Sequence, residues 1–314
     1  MPELPDVTVY VEHLARRVVG AQVLAMLVRG PNLLRTAEPP LADATGRSVL
    51  SVGRMGKRIV FGLTAERWLV LHLMIAGRLH WVDAGGRPRP AGKMTQAEFR
   101  FSSGSLTLTE AGTKKRASLH YVAGAEALAA LDPGGLEPLG SSLSDFSERL
   151  LAGNHTLKRA LSDPRSFSGI GNAYSDEILH RARLSPLRLT RQLSPEEIAR
   201  LHAAVQEVLV EWTDRLRAEA GSAFPTGVTA FRREMAVHGK CRQPCPVCGT
   251  PVQRIAYAEN EVNYCARCQT EGRLLADRSL SRRLRDDWPR TVEEWEEVRP
   301  SGAAPAGRPS SRRR

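Results

Sequence analysis

The chain has 314 residues, a formal net charge of +11 and an ordinary 42% of hydrophobic residues. That length accommodates two domains with cores of their own, and no apolar run approaches the roughly 20 residues that span a bilayer. Glu3, Asp6 and Glu12 argue against a secretory leader. The composition therefore points to a cytoplasmic protein with a polyanionic partner, most simply nucleic acid.

The chain opens Met1-Pro2-Glu3-Leu4-Pro5-Asp6. Removal of Met1 would leave the secondary amine of Pro2 as the terminus. An α-amine titrates near about 7.7–8.0, against about 10.4 for lysine, so roughly a tenth is free base at neutral pH. Such an amine condenses with an aldehyde-like carbon to give an iminium, an electron sink, and Glu3 would be within reach as an acid or base. The same residues also read as a plain lead-in to a helix, with Asp6 in its first turn. On their own they leave both readings open.

Val7, Val11, Leu14 and Val18 recur at helical spacing, predicting a helix over 7–19 that Gly20 stops. From Gln22 to about Val122 the pattern becomes short β runs, at 48–52, 58–63, 68–74, 77–82, 98–102 and 105–110. Strands spaced this closely predict an antiparallel sandwich or barrel, with a Pro/Gly-rich loop at 84–92. A short helix and the run from Asp132 to Gly140 mark a boundary. Helices are then expected at 142–152, 155–163, 172–184 and 194–220. The last carries Ser194 with Glu197 in capping-box position and Pro195 at its first turn. A cysteine module follows, then a helical stretch at 277–298 and a disordered Ser/Pro/Gly/Arg tail at 299–314. The expected units are 1–135, a linker and helix lead-in at 136–150, 151–237, 238–270, and an extension at 271–314.

All five cysteines lie between Cys241 and Cys268. Cys245-Pro-Val-Cys248 and Cys265-Ala-Arg-Cys268 are two knuckles that can meet across a β-hairpin and offer four thiolates to one Zn2+. With cysteine at every position no coordination site is open to water, so the metal is structural. Cys241 reads as a neighbouring free thiol. Zinc ribbons of this kind serve many functions, so the module alone decides none. Upstream, Ser168-Gly-Ile-Gly-Asn-Ala-Tyr-Ser-Asp-Glu177 places a glycine turn before a helix, where exposed N–H groups favour a phosphate. Asn172 is its expected cap or a phosphate ligand.

Taken together and in order, MPELPD, RMGK ending at Lys57, GIGNAYSDE and PCPVCG with YCARCQ resemble the formamidopyrimidine-DNA glycosylase and endonuclease VIII family of base-excision repair enzymes. The resemblance spans about residues 2–270. It implies an α+β fold: an N-terminal catalytic β-sandwich with flanking helices, a helix–two-turn–helix DNA-binding domain and a zinc-finger β-hairpin. It further implies a monomer in the bacterial cytosol or nucleoid that grips double-stranded DNA with damaged bases or abasic sites. By the same resemblance Pro2 is the nucleophile that attacks C1′ of a flipped nucleotide, and Glu3 protonates the sugar ring oxygen. β- and δ-elimination then cut the strand. Lys57 and Asn172 contact phosphate, and Asp6 stands where the family has glutamate.

Four departures bear on specificity. Asn260 replaces the finger arginine, losing its charge and fork, with Arg254, Lys240 and Arg267 as candidate substitutes. Register puts Ile75, beside Met74, at the position that fills the gap left by the flipped base. The second gap-filling loop, 110–118, carries Arg116 but no aromatic. The segment from Gly221 to His238 is shorter than the family loop that caps 8-oxoguanine, which argues against efficient removal of that base. Residues 269–314 extend past the usual end, either adding salt-sensitive DNA affinity or serving as a plain terminus. Two rivals remain: a damaged-DNA-binding protein on the same scaffold without turnover, and a zinc-ribbon accessory factor that leaves the N-terminus unexplained.

Overall fold

The protein was analysed as a computed structural model that describes residues 1–87, 90–226, 232–256, 261–275 and 290–294. Helix α1 (Leu4–Val18) begins three residues before the hydrophobic periodicity suggests. Glu3 occupies its N-cap position, and the Glu3 N–H donates to Asp6 Oδ2 at 2.9 Å. Pro5 falls in the first turn, where no intrahelical N–H is needed.

Eight strands follow: β1 (Val23–Val28), β2 (Val49–Met55), β3 (Arg58–Leu63), β4 (Arg67–His72), β5 (Gly77–Asp83), β6 (Thr95–Phe101), β7 (Gly104–Glu110) and β8 (Ser118–Ala123). They form two antiparallel four-stranded sheets, ordered β1-β6-β7-β5 and β2-β3-β4-β8. This is the expected sandwich. Alternating residues such as Phe61, Leu69, Leu79, Phe99 and Leu108 face inward with Tyr10 and Leu14 of α1. Register fixes what lies at one end. Arg58 opposes His72, His72 opposes Ser118, and Gly77 opposes Glu110. The turn bearing Lys57, the turn bearing Met74 and Ile75, and the loop bearing Arg116 therefore leave the sandwich on the same side.

The short helix α2 (Ala125–Ala129) leads to α3 (Leu143–Leu151), α4 (Leu157–Ser162), α5 (Asn172–Arg181) and α6 (Pro195–Ala220). Each of the four helices expected between 142 and 220 is present, trimmed at one or both ends. Ser142, Thr156 and Ser194 cap α3, α4 and α6 through side-chain oxygens. In α6 the capping box closes reciprocally, Ser194 N–H to Glu197 Oε2 at 2.9 Å. Phe146, Leu161, Ile170, Tyr174, Leu201 and Trp212 build a second core, and Leu4 from α1 is part of it.

The finger pairs β9 (Gln253–Ala256) with β10 (Glu261–Tyr264), followed by α7 (Ala266–Thr270). The extension is not wholly a free end. Leu274 and Val292 join Ile255, Val262 and Tyr264 in a small core. The Leu274 N–H donates to the Arg290 carbonyl at 2.8 Å and the Val292 N–H to the Gly272 carbonyl at 3.0 Å. Most of the expected 277–298 helix, and all of the 299–314 tail, lies outside the described residues. No helix among the described residues is long and apolar enough to cross a membrane. Val292 is 1% exposed, so Val292→Asp should weaken the finger by about 2–4 kcal/mol. Faster zinc loss to a chromogenic chelator would register the change.

Candidate active site

The chain start is drawn into the seam between the two large cores. The Leu4 N–H donates to the Gly169 carbonyl at 2.9 Å, which sets Glu3, 1% exposed, against the beginning of α5. The Glu3 carboxylate accepts the backbone N–H groups of Gly171 at 2.7 Å, Ala173 at 2.9 Å and Tyr174 at 3.2 Å. A helix N-terminus offers unpaired N–H donors and partial positive charge, and here a distant acid satisfies both. The expectation that Asn172 caps its own helix is thereby corrected. Gly171 holds the cap position, and Asn172 is the first helical residue. With the donors taken by Glu3, Asn172 instead helps to line a groove.

The glycines of this turn are required by close approach. A Cβ on Gly169, whose φ is +80°, would lie 2.8 Å from Leu4 Cβ and 3.0 Å from Arg54 Nη1. On Gly171 it would lie 2.5 Å from Glu3 Cδ and 2.6 Å from Lys57 Nζ. Glu3, Lys57 and the start of α5 thus converge on one point. Pro2 beside them is buried. Burial pushes the α-amine of Met1 below its ordinary value, and Arg78 and Lys57 push the same way against Glu3 and Asp6. Burial also lowers Lys57, Lys158 adds to the shift, and Glu3 opposes it.

Asp6 is 1% exposed and pairs through Oδ1 with Arg232 Nη2 at 3.2 Å. Burial nevertheless pushes its carboxyl up to about 6, outweighing the Glu3 N–H and Arg232. A hollow of about 210 Å3 opens beside it, lined by Asp6, Val9, Leu216, Glu219, Phe224 and Arg232. His72 was not singled out by the sequence. Burial, with Arg58 and Lys57, drives it down to about 4, and its Nε2 is buried without a hydrogen-bond partner. A neutral imidazole with a free nitrogen beside two cations can serve a phosphate.

The other wall is a groove of about 680 Å3 lined in part by Asn154, His155, Lys158, Arg159 and Asn172. Lys158 Nζ donates to the Asn172 carbonyl at 2.5 Å and to Asp176 Oδ1 at 2.6 Å. Asp176 Oδ2 also lies 2.8 Å from His238 Nδ1 and accepts the Asn263 N–H at 3.2 Å. Glu177 accepts the N–H groups of Ala236, Val237 and His238. These adjacent acids are buried in mid-helix. Their one signal in the sequence is two charges among apolar neighbours.

The expected gap-filling residues lie on loops. Ile75 is 56% exposed at the tip of its turn, while Met74 is half-buried with φ +51°. Glu110 fixes the Arg116 loop by accepting the N–H groups of Arg116 at 2.7 Å and Ala117 at 3.2 Å. Asn260 and part of the Gly221–His238 segment lie outside the described residues. Of its candidate substitutes, Arg254 is 3.6 Å from Glu261, Lys240 donates to the Arg233 carbonyl, and Arg267 pairs with Glu293.

In the finger the Cys245, Cys248, Cys265 and Cys268 sulfurs lie within 4.8 Å of one another. Cys248 and Cys265 are 3.4 Å apart, Cys245 and Cys268 3.9 Å. A tetrahedral ion with bonds of about 2.3 Å needs sulfurs about 3.8 Å apart, so the four fit one zinc. His180 Nε2 of α5 lies 3.3 Å from Cys245 Sγ, the kind of outer contact that orients a ligand.

The formamidopyrimidine-DNA glycosylase N-terminal domain model matches residues 1–117, the H2TH domain model of the same enzymes 135–218, and a zinc finger found in FPG and IleRS 242–270. The formamidopyrimidine-DNA glycosylase of Symbiobacterium thermophilum is 34% identical over 282 residues, covering 86% of this chain and 89% of that one. The chain belongs to the formamidopyrimidine-DNA glycosylase and endonuclease VIII family. The family enzyme of Thermus thermophilus is 33% identical, covering 87% of this chain and all of its own. The MutM (Fpg) crystal structure from that organism superposes with a TM-score of 0.72 at 32% identity, over 85% of this chain and 98% of that one. A MutM complex with DNA containing carbocyclic 8-oxo-G gives 0.75 at 26% identity, over 86% and 100%. As in the family, the finger holds one structural zinc.

Two outcomes follow from the geometry. Gly171→Ala must displace Glu3 or Lys57, so strand cutting at an abasic site should fall by about 100-fold, while urea unfolding shows a loss of only about 1–3 kcal/mol. For Asp6, the folded carboxyl keeps its proton up to about 6, whereas the unfolded one releases it near 3.8. The folded state binds more protons across that window, so this group's contribution to stability is lost as pH rises through it. In Asp6→Asn the fall in unfolding free energy over the same window should be shallower than in the wild type.

Proposed function

We propose that the protein is a base-excision repair DNA glycosylase that removes oxidised bases from duplex DNA and, as an AP lyase, cuts the strand at the resulting abasic site. The observation that carries the reading is the convergence of Lys57 and of Glu3, which directly follows the buried Pro2, at Gly171. In the proposed reaction the Pro2 nitrogen, freed by loss of Met1, donates its lone pair to C1′ and the base leaves with the glycosidic electrons. The proton that the nitrogen gives up passes by way of the Glu3 carboxylate to O4′ as the C1′–O4′ bond opens, leaving a cationic iminium between Pro2 and C1′. Loss of a C2′ proton expels the 3′ phosphate, a second elimination expels the 5′ phosphate, and water releases the enzyme.

The remaining roles follow from placement. Lys57, His72 and Asn172 would hold phosphates near the lesion, the hollow beside Asp6 would receive the flipped base, and Ile75 and Arg116 would occupy the gap it leaves. Relatives bound to DNA with 8-oxo-G and, in Lactococcus lactis, with an oxidised pyrimidine support an oxidised base as substrate. A substrate in chromosomal DNA supports reading the protein as a monomer of the bacterial cytosol or nucleoid, with units 1–135, 151–237 and 238–270. The rival reading, a damage-binding protein without turnover, draws on Asn260 and the altered Arg116 loop. It gives the burial of Pro2 next to Glu3 and Lys57 no purpose.

Borohydride reduction during incubation with abasic duplex DNA tests the proposal. A covalent protein–DNA adduct is expected from wild type and is expected to vanish in Pro2→Gly and in protein retaining Met1. Absence of adduct throughout about pH 6–9, where the amine titrates, would overturn the lyase reading.

A further inference from the structure

Arg54 lies near the end of β2, and its side chain is 15% exposed. Its guanidinium reaches three segments. Nη1 donates to the Gly56 carbonyl at 2.8 Å and to Ser168 Oγ at 3.3 Å, and Nη2 pairs with Glu137 Oε1 at 2.5 Å. Gly56 immediately precedes Lys57 and has φ +59°, so the carbonyl held by Arg54 sets the peptide from which Lys57 projects. Ser168 precedes Gly169, whose carbonyl takes the Leu4 N–H. Glu137 belongs to the linker, which is itself tied to this turn. The Leu136 N–H donates to the Ser166 carbonyl at 3.0 Å and the Ser168 N–H to the Leu136 carbonyl at 2.8 Å.

We infer that Arg54 is a positioning residue that locks the Lys57 turn of the sandwich onto the Ser168–Gly171 turn of the helical half, bringing Lys57 to Glu3. The inference rests on the lyase reading above. A planar guanidinium serves several acceptors at fixed angles, which a flexible ammonium does not. The Glu137 arm is half-exposed and contributes little to stability. The arms to Gly56 and Ser168 carry the geometry, because they join the turn that bears Lys57 to the turn ending in Gly171, where Lys57 and Glu3 crowd. A misplacement of about 1 Å at such a centre costs about 100-fold in rate.

The test compares wild type, Arg54→Ala, Lys57→Ala and the double variant. Single-turnover borohydride trapping on abasic duplex gives the rate, and affinity for a duplex carrying a tetrahydrofuran abasic analogue gives binding. Arg54→Ala should slow trapping by about 100-fold while affinity changes less than about threefold. The double variant should be no slower than the slower single variant, since residues acting through one another are non-additive. Rate and affinity falling in proportion, or the two rate losses multiplying, would overturn the inference. Should Arg54→Ala fail to fold by circular dichroism, Arg54→Lys, which keeps the charge and loses the fork, carries the same comparison. A wild type without adduct would sink the lyase reading and the inference with it. An adduct that forms at the wild-type rate in Arg54→Ala would sink the inference alone.

Discussion

The structure depends on one contact, the Glu3 carboxylate seated in the N–H donors of α5. A hydrogen bond to a charged group contributes about 1.5–3 kcal/mol, and three of them meet a helix end that already favours negative charge. The consequence is topological as much as energetic. With Glu3 held there, Leu4 enters the helical core while Tyr10 and Leu14 of the same helix enter the sandwich core. Further along, Glu12 meets Arg217 of α6 at 2.7 Å. The first helix is shared by both halves, and a terminus that would otherwise fray is the best-anchored part of the centre.

Helix α5 extends that logic along its length. Its N-terminus takes Glu3, its middle acids Asp176 and Glu177 take the residues leading into the finger, and His180 near its end meets Cys245. The zinc is remote from the proposed chemistry, yet it holds the hairpin whose Asn263 N–H meets Asp176. Asp176 in turn holds Lys158 against the Asn172 carbonyl. A structural metal can in this way support the groove lined by Lys158 and Asn172, which it does not touch.

What the sequence made legible is what is encoded locally. The cysteine spacing, the Ser194–Glu197 capping box and the alternating strands each depend on residues a few positions apart, and each appears as read. What it hid is non-local. No rule of spacing tells that the cap of α5 is supplied by Glu3, that Arg54 spans two turns, or that Val292 returns to the finger core. Asn172 looked like a cap because local statistics favour asparagine there. A better ligand arriving from the other end of the chain overrode that preference. The family resemblance supplied Pro2 and Lys57 as candidates, but the reason for two glycines beside them, room for Glu3, Lys57 and Arg54, needed coordinates.

The charge balance at the centre shows why such a site calls for a polyanion. Glu3 is satisfied by backbone donors, Lys158 by Asp176, and Asp6 by Arg232 and the Glu3 N–H. Lys57 is buried beside a second ammonium, with its charged form disfavoured despite Glu3. His72 nearby is neutral with an unpartnered nitrogen. A phosphate placed against Lys57 and His72 would relieve both deficits at once, and by linkage it would favour the charged lysine as strongly as that lysine favours the phosphate. Binding of such a phosphate and the charge state of Lys57 would therefore be one electrostatic event, set up by a cation that the fold leaves without full compensation.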